Sequence, residues 1–276
     1  TLLDPVAVQL ALLDKQLYML SLGARLLPAY AGLSQPSSVL LLFLNNSEMR
    51  PGGGFIGSYG VLETDGGDIA HLETADVYSL DNAVASQVSV DPPQPLKDYN
   101  SATKWFFRDS NWSPDFPTSM TKGIELFLQE VSYLGENSTV PATDHVDHVI
   151  AMTPTFAATL LELTGGIEIG GQVFTAENIP DAIEYQVQIG FKAKGLPVSQ
   201  RKEILADLVD EMKSRLYKLS FDQWEQVFVN SREALASKQI LLFSTESQVQ
   251  EVIESAGWGG VIAPGEVDTI MVADAN

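Results

Sequence analysis

The sequence predicts an α/β fold: a mixed central β-sheet flanked by helices on both faces. Three observations predict it. The run SVLLLFL at 38–44 is strand-sized and apolar without alternation, the pattern of a strand buried on both sides. FIGSYGVLET and IAHLETADVYSL flank the glycine turn DGGD at 65–68, which reads as an antiparallel pair. From residue 119 onward, strand-sized runs alternate with helical apolar spacing, which calls for helices packed over the sheet.

The elements follow in order. Asp4-Pro5 is a helix start, and Val8, Leu10, Leu12, Leu13, Leu17 and Leu20 form the apolar positions of a helix expected to end before Pro28. Residues 1–34 are read as this helical region, and 35–276 as the α/β core of a single elaborated domain. The stretch Asp91–Pro117 is too long for a simple connection, and its aromatics argue for order. Met120, Ile124, Phe127, Leu128 and Val131 are spaced as a helix, and HVIAM at 148–152 as a strand. Pro154–Leu163 reads as a helix closed by Gly165-Gly166, followed by a strand at IEI and a helix-capping threonine at 175. Two amphipathic helices, SQRKEILADLVDEMKSRLYKL and FDQWEQVFVNSREALA, precede a strand at QILLFS, a helix at STESQVQEVIESAG and a strand at DTIMVAD.

Composition bounds the function. In 276 residues the chain carries 36 acidic and 16 basic side chains, a net charge of −20 that opposes a nucleic-acid partner. Any bound anion must rely on a few grouped cations, backbone N–H groups or a metal. With no cysteine, disulfides, thiolate zinc sites and thiol nucleophiles are all excluded. No run approaches the roughly 18 apolar residues of a spanning helix. A chain beginning at Thr1 without Met is expected to belong to a longer protein whose remaining parts hold a signal or membrane anchor.

Two constellations carry chemistry. In NNSEMRPGGGF, residues 45–55, Gly52, Gly53 and Gly54 permit left-handed backbone and close approach of a ligand, and Arg50 offers a planar fork for phosphate or carboxylate. The alternative is a glycine-rich bend between strands with Arg50 paired to Glu48. The G-x-x-x-x-G-K-[ST] spacing of a nucleotide-binding loop is absent. In KWFFRDSNWSPDFP, residues 104–117, Arg108 is placed to hold a phosphate and Asp109 or Asp115 a divalent cation, beneath an aromatic wall. The alternative is a long loop tied down by Arg108 and Asp109. His145 and His148 in DHVDHV fall on opposite sides of a strand, which argues against a shared metal. Arg201-Lys202 begins a long helix whose N–H groups favour anions, or is a solvated helix start.

The stretches LLLFLNNSEMRPGGGFIGSYGVLETDGGDI, FRDSNWSPDFP, HVDHVIAMTPTFAATLLELTGGIEIGG and ASKQILLFSTESQVQEVIESAGWGG resemble a bacterial envelope family known as domain of unknown function 4012. That family is distantly similar to the LytR-CpsA-Psr enzymes, which transfer glycopolymers from a polyprenyl-pyrophosphate carrier to an envelope acceptor. The resemblance implies a LytR-CpsA-Psr-like fold, an extracytoplasmic and membrane-anchored setting, and pyrophosphate and magnesium binding at Arg108 and Asp109. It extends to Arg201 and Arg50 as further phosphate ligands. The enzymes carry several arginines before and within the helix matching residues 199–217, where this chain has Lys192, Lys194, Arg201 and Lys202.

Two functions are consistent with these residues. One is a non-catalytic module binding a lipid-linked glycan or an envelope protein. The other is a magnesium-dependent phosphotransferase in which Asp109 or Asp115 places the metal and an aspartate takes the acceptor proton. The second requires the arginines to converge on one cleft beside an apolar tunnel.

Overall fold

The computed structural model describes residues 4–179, 182 and 198–262. Helix α1 (Asp4–Tyr30) leads into strand β1 (Ser37–Asn45), followed by β2 (Phe55–Asp65) and β3 (Asp68–Asp76). Then come α2 (Val77–Ala83), α3 (Gln94–Asn100), a 3-10 turn at Phe107–Asp109, α4 (Phe116–Ser132) and β4 (His148–Met152). Helix α5 (Pro154–Thr164) precedes a small hairpin of β5 (Ile167–Ile169) and β6 (Gln172–Phe174). The chain continues through α6 (Val198–Leu216), α7 (Phe221–Ala236), β7 (Ile240–Ser244) and α8 (Ser247–Ser255).

The sheet order is β3-β2-β1-β4-β7. β1 pairs antiparallel with β2 and parallel with β4, and the outer pairs β2–β3 and β4–β7 are antiparallel, so the sheet is mixed, as expected. β1 is central and buried along nearly its whole length, which accounts for its unbroken apolar run. Its alternate residues divide the interior. Leu40, Leu42 and Leu44 pack with Tyr59, Phe107, Met120 and Phe127 beneath α2 and α4. Leu41 and Phe43 face the opposite layer of α5 and α6. At the β7 edge, Leu22 and Leu26 of α1 pack on Val249, Val252 and Ile253 of α8. Helices therefore cover both faces.

The structure departs from the sequence reading in three places. VYSL does not extend β3: the Asp76 carboxylate accepts the Tyr78 N–H at 2.8 Å and caps α2, so the chain turns out of the sheet there. Pro28 lies inside the last turn of α1 rather than beyond its end. The helix closes three residues on, where the Ala31 N–H reaches Leu27 O. Of the expected apolar positions of α1 whose side chains are described, Leu13, Leu17 and Leu20 are exposed, and it is Leu22 and Leu26 that are buried. DTIMVAD lies outside the described residues. Asp91–Pro117 is ordered, with α3 and the 3-10 turn inside it.

Candidate functional site

The β1–β2 connection builds one wall. Gly54 has φ +136° and passes so close to Asn45 that a Cβ would stand 2.4 Å from its carbonyl oxygen. At Gly52 a Cβ would stand 2.9 Å from Asn111 Cβ. The glycines thus let two backbones touch, and the contact is fixed by hydrogen bonds from the Gly52 N–H to Asn111 O and from the Asn111 side-chain amide to Gly54 O. The Gly52 and Gly53 N–H groups are spent on Asn111 O and Arg50 O. Two of the three amides expected to cradle phosphate are therefore unavailable, and the segment acts as a spacer that carries Arg50 to the 108–111 loop.

Arg50 and Arg108 are brought to the same place. Arg50 lies over the Phe55 ring, 5.3 Å from its centroid, and pairs with Glu48 at 3.0 Å. Phe55 in turn packs on Tyr78, with ring centroids 6.1 Å apart. Arg108 lies over the other members of this aromatic set, 5.2 Å from Tyr78 and 4.5 Å from Phe106. Its Nη1 donates to Asp81 Oδ2 at 2.5 Å and its Nε lies 3.4 Å from Asp109 Oδ2. Nη2 has no partner among the described residues.

Beneath Arg108 is a buried carboxyl pair. Asp81 is fully buried, and Glu130 on α4 accepts the Phe107 N–H at 2.7 Å through Oε1. Asp81 Oδ1 and Glu130 Oε2 have no other donor. Burial, joined by the negative charge of Asp81, pushes the Glu130 carboxyl far above the glutamate range, so its proton bridges to Asp81. Burial also raises Asp81, opposed by the Arg108 charge and by hydrogen bonds from Glu130 and Arg108. Asp109 is raised by burial, against the pull of Arg108 and Arg50. The protonated Glu130 holds Asp81, and Asp81 holds Arg108.

Asp115 does different work. Its Oδ2 accepts the Thr118 N–H and hydroxyl at 3.0 and 2.6 Å, capping α4, and its Oδ1 takes the Ile262 N–H at 3.0 Å. Burial would raise its carboxyl, but these hydrogen bonds hold it below the usual range. It stands at the opposite end of α4 from Glu130, about 20 Å away at 1.5 Å per residue. Asp115 is thus a helix cap, and Asp109 alone of the two stays with Arg108. The Arg201 side chain and Lys192 and Lys194 lie outside the described residues. His145 is exposed beside Asp144, whereas His148 is buried against Tyr30 and Ser244, so the pair shares no site. No group of three or more potential metal ligands occurs among the described residues. Asp81 is engaged by Arg108, so Asp109 would hold magnesium only with ligand oxygens completing the shell.

A cavity of about 400 Å³ lies between the sheet and α5, α6 and α7, and Phe55, the ring beneath Arg50, lines one end of it, while Arg50, Asp81, Arg108 and Asp109 themselves do not line it. Phe55, Ser58, Asn45 and Asp76 line that end. Leu62, Ile69, Leu160, Leu216, Tyr217 and Trp224 line the other, near the β2–β3 turn. Asp76 and Ile69 are seven steps apart along β3, so the cavity runs about 23 Å along the sheet at 3.3 Å per residue. Its walls are almost wholly aliphatic and aromatic.

Sequence reasoning missed Asp81, Glu130 and Tyr78. Tyr78 sat in a segment read as a strand, and Asp81 lies one residue beyond its end. Glu130 had a signal: it falls on the buried stripe of α4 with Gly123 and Phe127, where an uncompensated carboxylate would be costly.

The family profile described as "Protein of unknown function (DUF4012)" matches residues 34–187, more than half of the chain and the whole Arg50–Asp81–Arg108–Glu130 cluster. The chain belongs to the DUF4012 family. Among curated proteins none is significantly similar to this DUF4012 member in sequence. Several solved structures are similar to it at low identity. A protein of Streptococcus agalactiae is 10% identical, with 82% of this chain and 74% of that one covered and a TM-score of 0.46. A transcriptional regulator of Enterococcus faecalis is 10% identical over 84% and 75% of the two chains, with a TM-score of 0.42. A Listeria innocua protein is 14% identical over 82% and 79%, with a TM-score of 0.38. Likeness of this degree carries no assignment of activity.

Proposed function

We propose that this DUF4012 domain binds an envelope amphiphile with one long apolar chain and a phosphate-bearing head, the chemistry of a polyprenyl-linked glycan. The observation that carries the reading is an elongated apolar cavity whose end wall, Phe55, lies under Arg50 and packs on Tyr78, the ring under Arg108. Aliphatic walls select a hydrocarbon chain, and the partly exposed Arg108, with Nη2 unpaired among the described residues, can take an anionic oxygen. The domain works at the bacterial envelope, held there by parts of a longer protein. The test is calorimetric titration with geranylgeranyl phosphate and with geranylgeraniol. The phosphate is expected to bind more tightly, Leu160→Trp to abolish binding of both by filling the cavity, and Arg108→Gln to remove only the preference for phosphate. Equal affinity of the intact protein for both compounds would show that the arginines do not read the head.

A second reading, magnesium-dependent transfer of the glycan to an acceptor, is favoured by Asp109. Its carboxyl is raised by burial beside Arg108 and Arg50 and is slightly exposed, which suits it to take the acceptor hydroxyl proton. Transfer from a prenyl-pyrophosphate donor that needs magnesium and is lost in Asp109→Asn, with donor affinity retained, is the result this reading requires.

A further inference from the structure

The end of the cavity remote from Arg108 opens onto an aromatic surface that no part of the ligand reading uses. Tyr217, Phe221, Trp224 and Phe228 are exposed to 67%, 84%, 45% and 45%. Phe221, Trp224 and Phe228 recur at three- and four-residue steps, so they share one face of α7, and Tyr217 stands just before the helix. The adjoining side of α7 is anchored by buried Val227 and Ala234. A reciprocal Ser220–Gln223 cap fixes its first turn, and Gln223 Nε2 donates to Leu163 O at 3.4 Å at the end of α5. The aromatics are therefore displayed by a held helix.

We propose that this face docks on a lipid bilayer. Tyr217 and Trp224 also line the cavity, so the surface runs without a break into the apolar interior. Tyrosine and tryptophan suit the boundary between headgroups and acyl chains, where an apolar body and a polar tip are both satisfied. Exposed Asp222, Glu225 and Gln226 on α7 and Lys218 before it form a polar rim of mixed sign. That rim and the net charge of −20 make insertion of aromatic side chains, not attraction to anionic lipid, the source of binding. One consequence rests on the ligand reading above: a prenyl chain longer than the roughly 23 Å cavity emerges at this mouth and re-enters the bilayer, while its head is held at Arg108, remote from the membrane.

The experiment is flotation of the full chain with phosphatidylcholine vesicles, with tryptophan emission recorded alongside. Trp105 and Trp258 are buried and Trp112 is partly buried, so an emission shift reports Trp224. Binding is expected on these neutral vesicles, unchanged at high salt, with emission moved to the blue and quenched by lipids labelled in the acyl chain near the headgroup. Neither Phe221 nor Phe228 lines the cavity, so Phe221→Ser/Phe228→Ser is expected to weaken vesicle binding roughly tenfold or more. Its affinity for geranylgeranyl phosphate should stay at the wild-type value. Absence of vesicle binding, or of lipid quenching in the unaltered chain, would overturn the docking whatever the cavity binds. A dimer that the double variant dissolves would do the same, by assigning the face to a second copy. Vesicle binding without geranylgeranyl phosphate binding would uphold the docking and remove only the ligand reading.

Discussion

Replacing Arg108 by Met tests whether the cluster is organised around a buried charge. Met keeps the stem that lies against Phe106 and Tyr78 but leaves the carboxylate of Asp81, fully buried, facing only the proton of Glu130. Breaking a buried pair from one side costs about 3–5 kcal/mol, because the remaining charge keeps its desolvation penalty. Loss of cation–π contact with two rings adds about 0.5–1 kcal/mol each. The expected cost is therefore about 4–7 kcal/mol at neutral pH, and a fall in Tm of roughly 2–4 °C per kcal/mol for a domain of this class. Asp81→Asn/Arg108→Met removes both charges and should recover most of the loss, down to about 1–2 kcal/mol, since the cation–π contacts stay absent. Urea unfolding of the four proteins gives the coupling directly. The cost of Arg108→Met should also shrink as the pH falls, because Asp81 can then take a proton and become neutral. A single-variant cost below about 1 kcal/mol, or a double variant no more stable than Arg108→Met, would refute the claim that Asp81 depends on Arg108.

Three further outcomes follow from the same geometry. Burial keeps Glu130 protonated when folded, whereas its unfolded value is an ordinary 4.5, so above that pH folding retains a proton that the unfolded chain releases. Stability should fall with rising pH from there through the raised native value, by up to about 1.4 kcal/mol per pH unit, and Glu130→Gln should flatten the slope in urea titrations run across pH. Gly54→Ala places a methyl against Asn45 O in left-handed backbone and should cost roughly 3 kcal/mol or more. Gly57→Ala, whose Cβ would find nothing nearer than Phe43 O at 3.9 Å, should leave the Tm nearly unchanged. Asp115→Ala should lower stability by about 0.5–2 kcal/mol through the lost cap while leaving geranylgeranyl phosphate affinity intact, as calorimetry of the two proteins would show.

What the sequence made legible was what local chemistry decides. β1 is an unbroken apolar run because it is central, Gly66 and Gly67 turn the chain tightly between β2 and β3, and α7 spans the helix its spacing called for. VYSL reads as strand because Val77 and Tyr78 favour strands, while the choice between strand and helix rests on one hydrogen bond from the Tyr78 N–H to the Asp76 side chain. Arg108 and Asp109 were legible as neighbours. Asp81 and Glu130 were not, since their meeting depends on α2 and α4 packing on the same face of the sheet. The cavity was the least legible of all: its walls come from short pieces of β1, β2, β3, α5, α6 and α7 that read as ordinary core.

The charge count of the arginine cluster also constrains how a phosphate ligand is held. Two guanidinium groups, Arg50 and Arg108, meet three carboxylates, Glu48, Asp81 and Asp109, while Glu130 keeps its proton. Both arginines are thus already compensated, and an incoming phosphate faces a net negative site. It must displace a carboxylate or arrive with a cation, and the displacement is costly for Asp81, which is sealed beneath Arg108. A divalent cation shared between Asp109 and the ligand oxygens removes the conflict without breaking the buried pair. Geranylgeranyl phosphate should accordingly bind more tightly with magnesium than with EDTA, while geranylgeraniol binds equally in both. Asp109→Asn, which neutralises the slightly exposed carboxylate, should reduce the magnesium effect rather than abolish binding. A phosphate affinity indifferent to magnesium would mean that the arginines alone suffice, and that the acidic partners give way more easily than their burial implies.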